Sequence, residues 1–212
     1  MGEAFGKEVA GKGVPFEWRT FNADFEPVAA IVMRQGREAD LVVLGQPTNT
    51  ITLIDRIAMS EEVMLGLGRP VLIIPERDAR AAIGKRVLLT WNASRESARA
   101  AFDTLPFLQK AESVRLLAAK LVDDLSGGAG TDVSHTLGIV ASLERHSAHC
   151  SIVEASSTVA DAATNILAQA KEHDCDLIVM GGYGHWRIRE IVFGGATRGV
   201  LNQTTIPVLM SH

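Results

Sequence analysis

Five glycines near the C-terminal end of the chain have the arrangement of a phosphate cradle. Asp176 precedes the apolar run Leu177-Ile178-Val179-Met180, which reads as a short buried strand, and Gly181, Gly182 and Gly184 follow at once. Glycines at such a strand end let the backbone turn sharply and bring uncovered amides close to a ligand. A nine-residue spacer leads from Gly184 to Gly194 and Gly195, and then to Ala196-Thr197-Arg198-Gly199-Val200-Leu201. That run can form a helix, whose first N–H groups have no intrahelical acceptor and favour an anion. Strand, glycine loop and helix start, in that order, point to phosphate chemistry.

The pattern Gly181-x2-Gly184-x9-Gly194 resembles the G-x2-G-x9-G-[ST] motif of the universal stress protein family. The resemblance implies an adenine-nucleotide α-hydrolase-like fold and a site for ATP, with Mg²⁺. It also implies residue roles. Gly181, Gly184, Gly194, Gly195, Ala196 and Thr197 would surround the phosphates, Asn92 would stand near the nucleoside, and Thr90, Trp91, Ala119 and Met180 would line the base. Two positions depart from the family pattern. Gly195 stands where the motif has Ser or Thr, removing a hydroxyl donor worth about 1.5–3 kcal/mol at a charged partner. Asn92 stands where many members have an aspartate, and places no negative charge beside a phosphate tail. Thr197, Arg187 and Arg189 are near enough in sequence to compensate. Read without the resemblance, each glycine is also a turn residue, Asn92 a turn former, and the apolar four plain core.

The elements that must position these residues emerge from an internal repeat. Arg37-Glu38-Ala39-Asp40-Leu41-Val42-Val43-Leu44-Gly45 parallels the stretch ending in Asp176-Leu177-Ile178-Val179-Met180-Gly181, and Arg69-Pro70-Val71-Leu72-Ile73-Ile74 parallels Ile206-Pro207-Val208-Leu209-Met210. We therefore expect one partial unit over 1–75, a linker over 76–84 and one complete unit over 85–212. In the complete unit, strands at Lys85–Trp91, Val114–Ala119, Cys150–Glu154, Leu177–Met180 and Pro207–Met210 alternate with helices near Ser94–Leu105, Val133–His146, Val159–Lys171 and Ala196–Leu201. Ala98, Ala101, Phe102 and Leu105 fall on one helical face. Alternation of this kind predicts an α/β fold, a parallel open sheet with helices on both faces and a ligand site beyond the strand C-termini. The resemblance adds that the first and fourth strands are neighbours.

The first unit reads as a helix remnant up to Gly13, a strand at Phe16–Thr20, a helix at Pro27–Gln35, the strand Leu41–Leu44, a helix at Glu61–Leu67 and the strand Val71–Ile74. Its glycine loop is absent: Gly45 is followed by Gln46 and Pro47, and proline has no N–H to offer. Family members usually dimerise, so the resemblance makes 206–210 a candidate edge for a homodimer.

Composition narrows the classes. With 47% apolar and 22% charged residues and a net charge of −4, the chain is an ordinary globular one with no global attraction for nucleic acid or an anionic membrane. The absence of a spanning run or signal peptide leads to the cytoplasm. Cys150 and Cys175 read as small buried hydrophobes, and their neighbours His146, His149 and His173 fit no standard zinc spacing. No P-loop, nucleophile elbow or HExxH motif is present, and His185 beside Gly184 is the nearest candidate base. Nucleotide-binding regulatory module is the reading these features favour; a ligand-free dimerisation module and a weak ATPase are the alternatives.

Overall fold

The computed structural model describes residues 2–24, 26–46, 53–75, 82–118, 133–154, 161–182 and 195–212. Loop 123–130, linker residues 76–81 and the glycine-loop residues Gly184 and Gly194 therefore lie outside the described residues.

Among the described residues, seven strands form one open sheet: β1 (Val42–Gly45), β2 (Val71–Ile74), β3 (Arg86–Trp91), β4 (Ser113–Ala118), β5 (Cys150–Glu154), β6 (Leu177–Gly181) and β7 (Val208–Ser211), in the order β1-β2-β7-β6-β3-β4-β5. The expected adjacency of first and fourth strands of the second half is present as β3 beside β6, with Val87 opposite Leu177 and Leu89 opposite Val179. Every pair is parallel except one. β2 and β7 run antiparallel, Leu72 opposite Leu209, and this seam joins the two halves into a single sheet.

Helices cover both faces. On one side α2 (Val28–Gly36), α3 (Leu53–Leu67), α7 (Ala162–Glu172) and α8 (Gly195–Gln203) bury Ala29, Val63, Met64, Ile166, Ala170, Val200 and Leu201 against Leu88, Ile178, Val208 and Met210. On the other, α4 (Arg95–Asp103), the single turn α5 (Leu105–Leu108) and α6 (Val133–Arg145) bury Ala100, Ala101, Leu108, Ile139 and Leu143 against Val87, Leu89, Leu116, Val179 and Leu209. A further helix, α1 (Gly2–Ala10), lies at the N-terminus. None of these helices is long and apolar enough to cross a membrane, among the described residues.

Four expectations are corrected. Residues 16–20 are not a strand. The corresponding strand of the second half, β5, pairs with β4, and among the described residues the first half has no strand to play that part; Phe16 and Trp18 instead meet Phe5 of α1 at 5.9 and 6.0 Å between ring centroids. The helix expected over 61–67 starts much earlier, at Leu53. Phe102 does not join the buried face of α4: it is 40% exposed and stands edge-on to His146, while Ala100 and Ala101 face the core. Finally, 206–210 is not an open edge, because β7 is hydrogen-bonded on both sides, to β6 and to β2.

Asp176 fastens the second half where its first strand begins. Its buried carboxylate accepts the backbone N–H groups of Gly84 at 2.9 Å, Lys85 at 3.2 Å and Arg86 at 3.1 Å. Asp176→Ala would leave three donors without an acceptor, each costing about 1 kcal/mol or more. We expect the denaturant midpoint to fall by an amount corresponding to about 2–4 kcal/mol, with Asp176→Asn retaining part of the difference because one amide oxygen still accepts.

Candidate functional site

The parallel strands β3, β4, β6 and β7 all end at one rim of the sheet, where the connections after β3 and β6 begin. β6 leads through residues 182–194 to α8, so the start of α8 returns to this same rim. The register places Thr90 beside Met180 and Trp91 beside Gly181 as the continuation of Leu88–Ile178 and Leu89–Val179. Alternation along a strand then divides the expected site residues between two faces. Thr90, half-buried, and Met180, 4% exposed, share the face covered by α7 and α8. The Trp91 side chain and Gly181 belong to the opposite face, beneath α4. Trp91 can contribute to the α8 side only through its backbone, and its own Nε1, buried, has no hydrogen-bond partner among the described residues.

The turn from β3 into α4 is built from its own polar atoms. Asn92 Oδ1 accepts the N–H of Ser94 at 3.1 Å, and Ala93 takes a left-handed backbone, φ 57°. Ser94 caps α4, its Oγ accepting the N–H of Ser97 at 3.1 Å as the sequence predicts for an N-cap. Asn92 is thus a turn former, and its Nδ2 makes no hydrogen bond to another described residue, so a donor remains at the rim.

Gly181 and Gly182 are held by packing. A Cβ on Gly181 would lie 2.6 Å from the Glu96 carbonyl carbon and 2.6 Å from the Ser97 nitrogen, so β6 touches the first turn of α4 backbone to backbone. A Cβ on Gly182 would collide with the Met64 thioether of α3. The Gly182 N–H donates to Ser211 O at 2.9 Å, and its carbonyl meets His212 Nδ1 at 3.0 Å. The sequence hid the Met64 contact, because it crosses between the two halves.

α8 opens at Gly195, exposed and with no described atom within 4 Å of where a Cβ would stand. Its first turn has no acidic residue, which suits an anion at its N-terminus. Ala196 is half-buried and Thr197 is buried, 3% exposed. Ala119, Gly184, Gly194, His185, Arg187 and Arg189 lie outside the described residues.

Cys150 and Cys175 sit at β5 and just before β6, three strand spacings apart, about 14 Å. They and their neighbouring histidines therefore share no common centre. Burial pushes each thiol up to about 11.

The strand ends of this open α/β sheet and the start of α8 meet at one rim, the place where open α/β sheets hold ligands when they bind them. The family model described as the universal stress protein family matches residues 84–212, and the chain belongs to that family. It is 40% identical over 57 residues to a universal stress protein of Synechocystis sp., a stretch that covers 27% of this chain and 20% of that protein. Among solved structures, a universal stress protein from Archaeoglobus fulgidus superposes with a TM-score of 0.68 at 16% identity, covering 98% of this chain and 72% of the other. A functionally unknown protein from Pseudomonas aeruginosa gives a TM-score of 0.59 at 16% identity, covering 98% and 75%. At such identities the structures speak for the fold alone.

Two outcomes follow from this geometry. Gly181→Ala should lower stability by about 1–3 kcal/mol with no ligand present, since the first turn of α4 must move to admit the methyl group; an unchanged melting temperature would contradict the close contact. With a pKa of about 11, only about one thiol in a thousand is ionised at pH 8. A thiol reagent such as DTNB should therefore label Cys150 and Cys175 slowly in the native protein and promptly once it is denatured.

Proposed function

We propose that the second half binds an adenine nucleotide, ATP with Mg²⁺, at the rim where β3 and β6 end, and that the protein is a nucleotide-binding regulatory module of the stress response. The observation that carries this reading is the exposed start of α8, with no acidic residue in its first turn, at the rim where Thr90 and Met180 lie side by side. In this reading the α8 amides and the glycines Gly181, Gly184 and Gly194 meet the phosphates. Met180 and Thr90 face the base, and Asn92 Nδ2 donates to the nucleoside. Mg²⁺ would neutralise phosphate charge, and no described residue is assigned to hold it.

We further propose that the first half is a shortened second copy of the same unit. Equivalent bonds support this: Val42 N–H donates to Pro70 O at 3.0 Å as Ile178 N–H donates to Pro207 O at 2.9 Å, and Gln46 N–H donates to Ile74 O at 2.8 Å as Gly182 N–H donates to Ser211 O at 2.9 Å. A homodimer, if formed, must use a surface other than β7.

A second reading has its own observation. Gly181 and Gly182 are required by packing against α4 and Met64 whether or not anything binds, which fits a ligand-free regulatory module equally. Thermal melts with added Mg²⁺-ATP separate the two. At tenfold excess over Kd the expected stabilisation is about 1.4 kcal/mol, a rise of about 3–5 °C for a chain of this size. Gly195→Ser, which has open space around its side chain, should tighten ATP binding by about tenfold by adding a hydroxyl donor. No rise at millimolar ATP for either protein would leave the ligand-free module.

A further inference from the structure

The β2–β7 seam has a pseudo-twofold axis. Val71 lies opposite Met210, Leu72 opposite Leu209 and Ile73 opposite Val208, so an offset of 137 residues exchanges the two strands and leaves the central pair in place. The same offset carries α3 onto α8. Buried Ser60 corresponds to buried Thr197, Val63 to Val200 and Met64 to Leu201, all on the same side of the sheet. Met64 meets Gly182, and in the corresponding place Gln46 Nε2 donates to Leu201 O at 2.9 Å.

Under this offset Glu61 and Arg198 are each other's counterparts. They also touch: Arg198 Nε donates to Glu61 Oε1 at 2.5 Å and a terminal guanidinium nitrogen donates to Oε2 at 2.8 Å, a bidentate pair in which Glu61 is buried and Arg198 half-exposed. Two equivalent positions that meet across a twofold axis would carry the same residue in any assembly of identical units. Here they carry opposite charges.

We propose that the Glu61–Arg198 pair is a partner-selection device. It directs the β7–α8 face of the second half onto the first half of the chain and against self-pairing with the same face of a second copy. Self-pairing about that axis would bring Arg198 against Arg198, two cations at a partly buried position, in place of the Glu61 carboxylate. Such like-charge opposition works against the wrong assembly, while the heterotypic pair gains a bidentate, charge-assisted contact. The remainder of the seam is apolar and nearly symmetric, Leu72, Ile73, Leu209 and Met210 all being buried, so it supplies adhesion without direction. The inference builds on reading the halves as related units and is independent of nucleotide binding.

The test is charge reversal and charge exchange in the full-length chain. Glu61→Arg should lower the melting temperature by about 3–6 °C, and sedimentation velocity should show a slower-sedimenting chain that stays monomeric as the seam opens, because every pairing of the opened faces then sets arginine against arginine. The double exchange Glu61→Arg with Arg198→Glu should return both the melting temperature and the sedimentation profile close to wild type. Should Glu61→Arg not fold, Glu61→Gln provides the same comparison with a smaller loss, set against Arg198→Gln and the double glutamine variant. Arg198→Ala, which removes the repulsion, should raise the dimer fraction at high protein concentration. Equal stability of wild type and Glu61→Arg, or an exchange variant no better than the single reversal, would overturn the proposal.

Discussion

The antiparallel pairing of β2 with β7 is the constraint on which the rest of this structure depends. The two strands β1 and β2 cannot bury their own apolar surface, and the second half, ending in β7, would by itself leave an apolar strand edge open. Joined, each covers the other. Leu72, Ile73, Leu209 and Met210 become buried, and each such side chain contributes about 1.5–3 kcal/mol relative to exposure. The pairing takes the same backbone donors and acceptors that a second molecule would have used.

That seam also brings the first half to the candidate site. Its strands point the opposite way to β7, so the C-terminal part of α3 comes back to the rim where β6 ends, and Met64 fills the space beneath Gly182. Gln46 and Glu61 grip α8 further along. The helix whose N-terminus faces the rim is thus held from both halves. The first half, in which Gly45 is followed by Gln46 and Pro47, packs Met64 against Gly182 at the rim.

The glycines illustrate how one residue type can satisfy two demands. At Gly181 the close approach of α4 backbone excludes any side chain, and at Gly182 the thioether of Met64 does so. At Gly195 nothing among the described residues excludes one, and there the glycine is a departure from the family pattern with no packing reason. The sequence marked Gly181 and Gly182 only as turn glycines and Gly195 as a departure from the family motif, because residue order reports where the backbone turns and not what approaches it.

Much of the fold was legible in the chain itself. Local periodicity, the Ser94 cap and the repeated strand motifs placed most elements of the second half, since their determinants lie within a few residues of one another. Contacts between halves were not legible: the antiparallel seam and Met64 under Gly182. The clearest case is the pair of aspartates before β1 and β6. Asp40 and Asp176 stand at corresponding places in nearly the same motif. Asp176 is buried and accepts three backbone N–H groups from the start of β3, whereas Asp40 is exposed and makes no hydrogen bond to a described residue. The sequence determined that an acidic side chain would precede each strand. Only the tertiary structure decided which would be used, because a carboxylate gains partners when a neighbouring strand presents them, and β6 has β3 beside it while, among the described residues, β1 has no strand on that side.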